Sequence, residues 1–169
     1  MPGPVVVVEY NEAWPAVFAA LVDRVMAALG RLASTVEHVG STSVPGLAAK
    51  PVIDMDVVVA SSTDMPVVIE SLATLGYVHR GDLGIKGREA FESPADTPDH
   101  HLYACAANSA ELRRHLLFRD YLRAHPEVAA EYGRLKQGLA QLYGDDRVAY
   151  TEAKTAFVQG VLRSATGDA

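Results

Sequence analysis

Hydrophobic positions along the chain change period several times, and each change marks an element. Val5 to Glu9 is a short apolar run that predicts a first, peripheral strand. Asn11 is placed to cap a helix whose apolar positions Trp14, Phe18, Leu21, Val25 and Leu29 keep helical spacing, with Gly30 as its stop. Thr35 to Val39 is β-branched and predicts a strand. Gly40 to Pro51, with its Gly, Pro, Ser and Thr, has the composition of a shaped turn. Val52 to Val59 is a near-continuous apolar run, as in a strand covered on both faces. Asp64 to Leu75 predicts a helix with Pro66 in its first turn and Gly76 at its end. Tyr77 to His79 starts another strand. Arg80 to Pro98 reads as a loop-rich hairpin with a strand near Ile85 to Phe91, and His100 to Cys105 as the last strand, with His101, Tyr103 and Cys105 on one face.

The remainder carries helical periods only. Ser109 to Ala124 places His115, Arg119 and Arg123 on one face. After the break at His125-Pro126, Val128, Tyr132, Leu135, Leu139 and Leu142 predict a buried stripe that ends at Gly144-Asp145-Asp146. Tyr150, Lys154, Phe157 and Val161 form the stripe of a last helix. Lysine on an apolar stripe either snorkels to the surface or points into a polar cleft. The pattern predicts an α/β (α+β) fold in one domain over residues 1–169. A small mixed, twisted sheet lies in about 1–107, with packed helices, and a C-terminal helical part in about 108–166.

Composition narrows the class. No apolar run approaches the roughly 20 residues that span a bilayer, and the Val5 to Val8 run lacks the basic flank of a secretory signal. The single Cys105 forms no intrachain disulfide and points to the cytoplasm; its apolar neighbours predict a packed core thiol. A net charge of −6 argues against an extended nucleic-acid partner. The charge is uneven: residues 1–110 carry 6 Lys/Arg against 13 Asp/Glu, and residues 111–163 carry 9 against 7. An acidic sheet part facing a mildly basic helical part would suit an anionic ligand between them.

The chemistry concentrates at Asp54 and Asp56. Two apart on a strand, they project to one face. Side by side in an apolar run, two like charges are costly unless cations or hydrogen-bond donors compensate them. One reading is a hard cation such as magnesium shared with substrate phosphates; the other is a hydrogen-bonded structural pair. Gly40 and Ser41 offer backbone N–H groups and a hydroxyl to a phosphate, and Ser43 and Lys50 are taken with them. Arg119, Arg123, Lys136 and Lys154 are the candidates for a basic wall opposite the carboxylates.

Gly-Ser, a spacer and Asp-x-Asp on a strand resemble the nucleotidyltransferase superfamily, whose members include polymerase-β-like enzymes. The run Glu37-His38-Val39-Gly40-Ser41-Thr42-Ser43-Val44-Pro45-Gly46-Leu47-Ala48-Ala49-Lys50-Pro51-Val52-Ile53-Asp54 closely resembles the signature of the GrpB family. The likeness continues in Phe118 to Arg123, Tyr132 to Leu139 and Tyr150 to Phe157. The resemblance implies a nucleotidyltransferase-like fold, with Gly40 and Ser41 meeting a nucleotide triphosphate and Asp54 and Asp56 binding Mg2+ and carrying catalysis. Active members add a third carboxylate from a later strand. His100 to Cys105 offers His101 and Tyr103 there instead, making His101 either a candidate metal ligand or a structural histidine beside the site, with Glu89, Glu92 and Asp99 as alternative acids. His38 either orients the loop or is a satisfied structural histidine. Two functions follow: metal-dependent nucleotidyl transfer to a small molecule, or a non-catalytic module binding a nucleotide or coenzyme A, since GrpB-like domains also occur fused to dephospho-coenzyme A kinases.

Overall fold

The structure, a computed structural model, describes residues 3–167. Its elements are α1 (Trp14–Leu29), β1 (Ala33–Val39), β2 (Ile53–Val59), α2 (Met65–Ala73), β3 (Val78–His79), β4 (Arg88–Glu92), β5 (His100–Ala106), α3 (Ala110–Ala124), α4 (Pro126–Tyr143) and α5 (Arg147–Thr166). The five strands form one mixed sheet ordered β1-β2-β5-β4-β3. Only the central pair β2 and β5 is parallel; the other neighbours are antiparallel.

The apolar run of β2 feeds both faces of this sheet. Ile53, Met55, Val57 and Val59 pack against Leu21, Val25 and Leu29 of α1 and against Val68 and Leu72 of α2. Full burial of each such side chain contributes about 1.5–3 kcal/mol, so this face anchors the sheet. On the opposite face Val58 meets Cys105 and Leu112 of α3, and Asp54 and Asp56 come up beside them through the period of two. Register places His101 opposite Asp54 and Tyr103 opposite Asp56.

A second core joins the helical part to the Gly40–Pro51 turn: Val44 and Leu47 pack with Leu122, Ala129, Tyr132 and Val161. Gly133 lets α4 approach closely, since a Cβ there would stand 3.4 Å from Leu47 Cδ1. The loop after β1 is thereby gripped by helices that follow it by some eighty residues.

Several predicted elements differ. Residues 5–9 form no strand, only a bridge from Val8 to Ala49, because Val5 instead bonds the Gly144 carbonyl. The Asn11 side chain accepts from Ala13 N–H at 2.8 Å, closing the turn before α1 and leaving the helix cap itself without a side chain. β4 begins at Arg88, past the Gly-rich turn. The α4 stripe runs through Ala129, Tyr132, Gly133 and Lys136, while Leu142 is exposed; apolar periodicity misses a buried lysine and glycine by construction. No helix among the described residues is long and apolar enough to cross a membrane.

Candidate functional site

The turn between β1 and β2 is shaped from inside. Gly40 sits at φ +72, and a Cβ on it would overlap Asp54 Oδ2, so only glycine lets the backbone lie against the carboxylate. The Ser43 hydroxyl donates to the Gly40 carbonyl at 2.5 Å. His38 Nε2 lies 2.9 Å from the Thr42 hydroxyl, and its ring stacks on Phe18 at 4.5 Å. Burial, helped by Arg123 and Arg119 and opposed by Asp54, pushes His38 down to about 4, so it holds the turn as a neutral imidazole. From α3, Arg123 Nε donates to the Ser43 carbonyl at 2.9 Å. Arg119 pairs with Glu37 at 2.6 Å and reaches the His38 carbonyl at 3.2 Å.

Both aspartates are met by histidine. His101 Nδ1 is 2.8 Å from Asp54 Oδ1. Asp56 is 1% exposed, and its Oδ2 is 2.7 Å from His115 Nδ1, while His115 Nε2 reaches Glu111 Oε1 at 2.9 Å. Burial raises the Asp56 carboxyl against the pull of His115. Burial alone would depress His115, but its hydrogen bond to Asp56 and the charges of Asp56 and Glu111 raise it. Both directions agree that the pair retains its proton. Asp56 Oδ1 is buried with no hydrogen-bond partner among the described residues. No group of three or more His, Cys, Asp or Glu side chains among those residues is arranged to hold a metal ion.

A cavity of about 250 Å³ opens on Asp54 and is lined by Gly40, Ser41, Lys50, His101, Lys136 and Lys154, with Phe118, Tyr132 and Tyr150 as its aromatic walls. Lys136 is 2% exposed, and its Nζ has no hydrogen-bond partner among the described residues. Aromatic faces partly compensate the ammonium groups: Lys136 lies 4.6 Å from the Tyr132 ring centre, and Lys154 and Lys50 lie 4.5 and 5.5 Å from that of Tyr150. Burial, then the charges of Lys154 and Lys50, push Lys136 down to about 7 despite Asp54. Lys154 is pushed down to about 8 by burial and Lys50, and Lys50 is lowered by burial and Arg147. Three amines with depressed proton affinity around one carboxylate make a cavity short of negative charge.

A second cavity, also about 250 Å³, lies across Asp54 and is lined by Arg88, Tyr103, Glu111, Arg114 and His115 with apolar Ile85, Phe118 and Val158. Of the residues singled out in the sequence, the first cavity gathers Gly40, Ser41, Lys50, Asp54, His101, Lys136 and Lys154. Ser43, Arg119 and Arg123 lie outside both cavities, because their polar groups hold the turn. Asp56 lies beneath, on His115. Glu111, His115, Arg88, Tyr132 and Tyr150 were not among the sequence candidates; the shared face of His115 and Arg119 was the one signal, and nothing local tied it to a strand 59 residues earlier.

The GrpB family, described as GrpB protein, matches residues 4–164. This chain belongs to the GrpB family. The protein YqkA of Bacillus subtilis is 37% identical over 153 residues, 90% of this chain and 45% of YqkA. Glutamate-rich protein GrpB of Alkalihalophilus pseudofirmus is 34% identical over 165 residues, 95% of each chain. A dephospho-CoA kinase of Mycolicibacterium paratuberculosis is 29% identical over 189 residues, 96% of this chain but 46% of the kinase. The chain thus spans less than half of YqkA and of that kinase. The crystal structure of GrpB from Enterococcus faecalis superposes with a TM-score of 0.87 at 36% identity, covering 96% of this chain and 98% of that one. Cid1 poly(U) polymerase bound to MgGTP gives 0.56 at 14% identity over 86% of this chain and 50% of Cid1. The GLD-2/RNP-8 complex gives 0.56 at 14% identity over 89% of this chain and 60% of that one. The fold of this GrpB-family chain is nucleotidyltransferase-like.

Proposed function

We propose that the chain is a metal-dependent nucleotidyltransferase-like protein of the cytoplasm that takes a nucleotide triphosphate and a small-molecule acceptor. The observation that carries this reading is the cavity in which Lys50, Lys136 and Lys154 converge on the Gly40-Ser41 turn beside Asp54. Three amines that share one carboxylate and are partly stripped of water bind a polyanion well, because the ligand supplies the compensating charge that the protein withholds. A single buried cysteine, Cys105, suits the reducing compartment.

The carboxylates fit a magnesium ion that is shared with its substrate. Asp54 and the unpartnered Oδ1 of Asp56 would hold the ion, with His101 orienting Asp54, and water and phosphate would supply its other oxygen donors, as is usual for this ion. When bound there, magnesium supplies Lewis-acid charge to the reacting oxygens. The residues of the chain do the rest. Ser41 and the backbone of the turn orient the phosphates. Lys136 and Lys154 stabilise the pyrophosphate as the bond between the α- and β-phosphates breaks and the acceptor oxygen bonds the α-phosphorus, its hydroxyl proton passing to solvent. The Asp56–His115–Glu111 chain keeps Asp56 in place.

One observation favours a second reading, a non-catalytic module for a nucleotide or coenzyme A: β5 presents Tyr103 opposite Asp56 where an acid would complete a carboxylate triad. The likeness to a dephospho-CoA kinase agrees with it. Calorimetric titration with nucleoside triphosphates and coenzyme A, with and without magnesium, tests both. Magnesium-dependent triphosphate binding with pyrophosphate release over a panel of small hydroxyl compounds supports transfer. Binding without release supports the module. No binding by the parent, or undiminished binding by Lys136→Met, refutes the lysine cavity as a phosphate seat.

A further inference from the structure

The cavity on the far side of Asp54 differs in chemistry from the lysine cavity. Its ions are mutually satisfied with one exception. Arg114 is held by Glu111 at 3.1 and 3.3 Å, Glu111 by His115, and His115 by Asp56. Arg88 stands apart: its guanidinium lies 4.4 Å over the Tyr103 ring, and its Nε is buried without a hydrogen-bond partner among the described residues. A buried N–H left unmatched costs free energy that a ligand acceptor recovers. A guanidinium fork matches a carboxylate or a phosphate monoester with two parallel bonds.

The rest of the wall limits what carries that anion. Ile85, Phe118 and Val158 give an apolar surface. About 250 Å³ is just below the roughly 300–1,000 Å³ of sites for drug-sized ligands, so the cavity encloses a group of small-molecule size. Gly40, Asp54 and Phe118 line both cavities. A molecule here and a phosphate among the lysines would meet across Asp54, the arrangement that two reacting partners need.

We propose that this second cavity is the acceptor seat, and that Arg88 selects a small hydroxyl-bearing acceptor with an apolar body and an anionic group, carboxylate or phosphate. The proposal rests on the nucleotidyl-transfer reading of the first cavity. The hydroxyl end faces Asp54, the body lies on Phe118 and Val158, and the anion pairs with Arg88.

The test is calorimetric titration of phenyl phosphate and of phenylacetate into the protein saturated with MgATP. The parent is expected to take one further equivalent of at least one probe, and the stronger of the two identifies the anion. Arg88→Gln should weaken that binding by about tenfold or more while the MgATP affinity stays within about twofold. Arg88→Lys, which keeps a cation on a long aliphatic stem, guards against a folding defect and should retain intermediate affinity. Arg114→Gln should have the smaller effect, since Arg114 is already paired. Failure of both probes to bind, displacement of either by MgATP, or equal binding by parent and Arg88→Gln would overturn the acceptor seat. If MgATP itself does not bind while a probe still binds through Arg88, the nucleotide reading and the acceptor role fall together, and an anion site remains.

Discussion

Lys136 concentrates the conflict between stability and binding at the scale of one residue. Its ammonium is buried, unpartnered and surrounded by Lys50, Lys154, Asp54 and the Tyr132 ring, so the free protein carries its desolvation cost. Lys136→Met keeps the stem and removes the charge. The variant is expected to be more stable than the parent by on the order of 1 kcal/mol near pH 6 in urea unfolding, and to bind a nucleoside triphosphate at least about tenfold more weakly. A variant that loses stability would mean that the amine has a partner in the free protein. His115 behaves oppositely. Its loss strands a carboxylate that is 1% exposed, so His115→Ala should cost about 3–5 kcal/mol at neutral pH. Adding Asp56→Asn should restore a large part of that loss, because no buried charge then remains unpaired; simple additivity of the two changes would show that the pair is uncoupled.

At the scale of elements, the Gly40–Pro51 turn is the piece whose shape everything else serves. β1 leads into it, His38 and Ser43 tie it from within, and Arg119, Arg123 and Gly133 bring α3 and α4 onto it. Gly40→Ala adds a methyl where Asp54 Oδ2 already lies and demands φ +72 of a residue with a Cβ. The substitution should destabilise by about 1–3 kcal/mol and abolish any magnesium-dependent thermal shift, because Asp54 must move. Arg119→Ala removes the link from α3 to Glu37 and the His38 carbonyl; it should reduce stability by about 1–3 kcal/mol while leaving triphosphate affinity nearly unchanged. Comparable losses of affinity in Arg119→Ala and Lys136→Met would move Arg119 into the ligand site.

At the scale of the whole molecule, the lysine cavity lies between the sheet part and the helical part, and the anion binding proposed there should depend on pH. Lys136 near 7 and Lys154 near 8 lie below the ordinary lysine value of 10.5. The unfolded chain therefore binds more protons than the folded one between about pH 7 and 10, and stability should rise with pH across that window. Anion binding runs the other way. It needs the ammonium forms, so triphosphate affinity should fall as pH rises through about 7 to 8, and Lys136→Met should flatten that fall in titrations across the range. A flat profile in the parent would show that the anion does not engage these amines. Saturation at 100 times the dissociation constant should add about 2.7 kcal/mol of apparent stability, measurable by thermal unfolding.

The sequence alone determined what local pattern can carry. The apolar run of β2 with its two same-face aspartates, the turn composition after β1, the helical periods and the GrpB signature all follow from neighbours within a few residues, where steric and burial preferences act directly. It also marked Lys154, because a charge on an apolar stripe is visible one residue at a time. Tertiary structure decided the rest. Lys136 was already a basic-wall candidate, but only the packing of α4 against the turn showed that it is buried and without a hydrogen-bond partner among the described residues. Arg119 and Arg123 shared a face with His115, yet only the docking of α3 onto β1 showed that they hold the turn while His115 holds Asp56. Arg88 and Tyr103 met only through the β4–β5 register. These contacts join residues far apart in the chain, and a pattern of period two or 3.6 carries no information about which distant face will supply the partner.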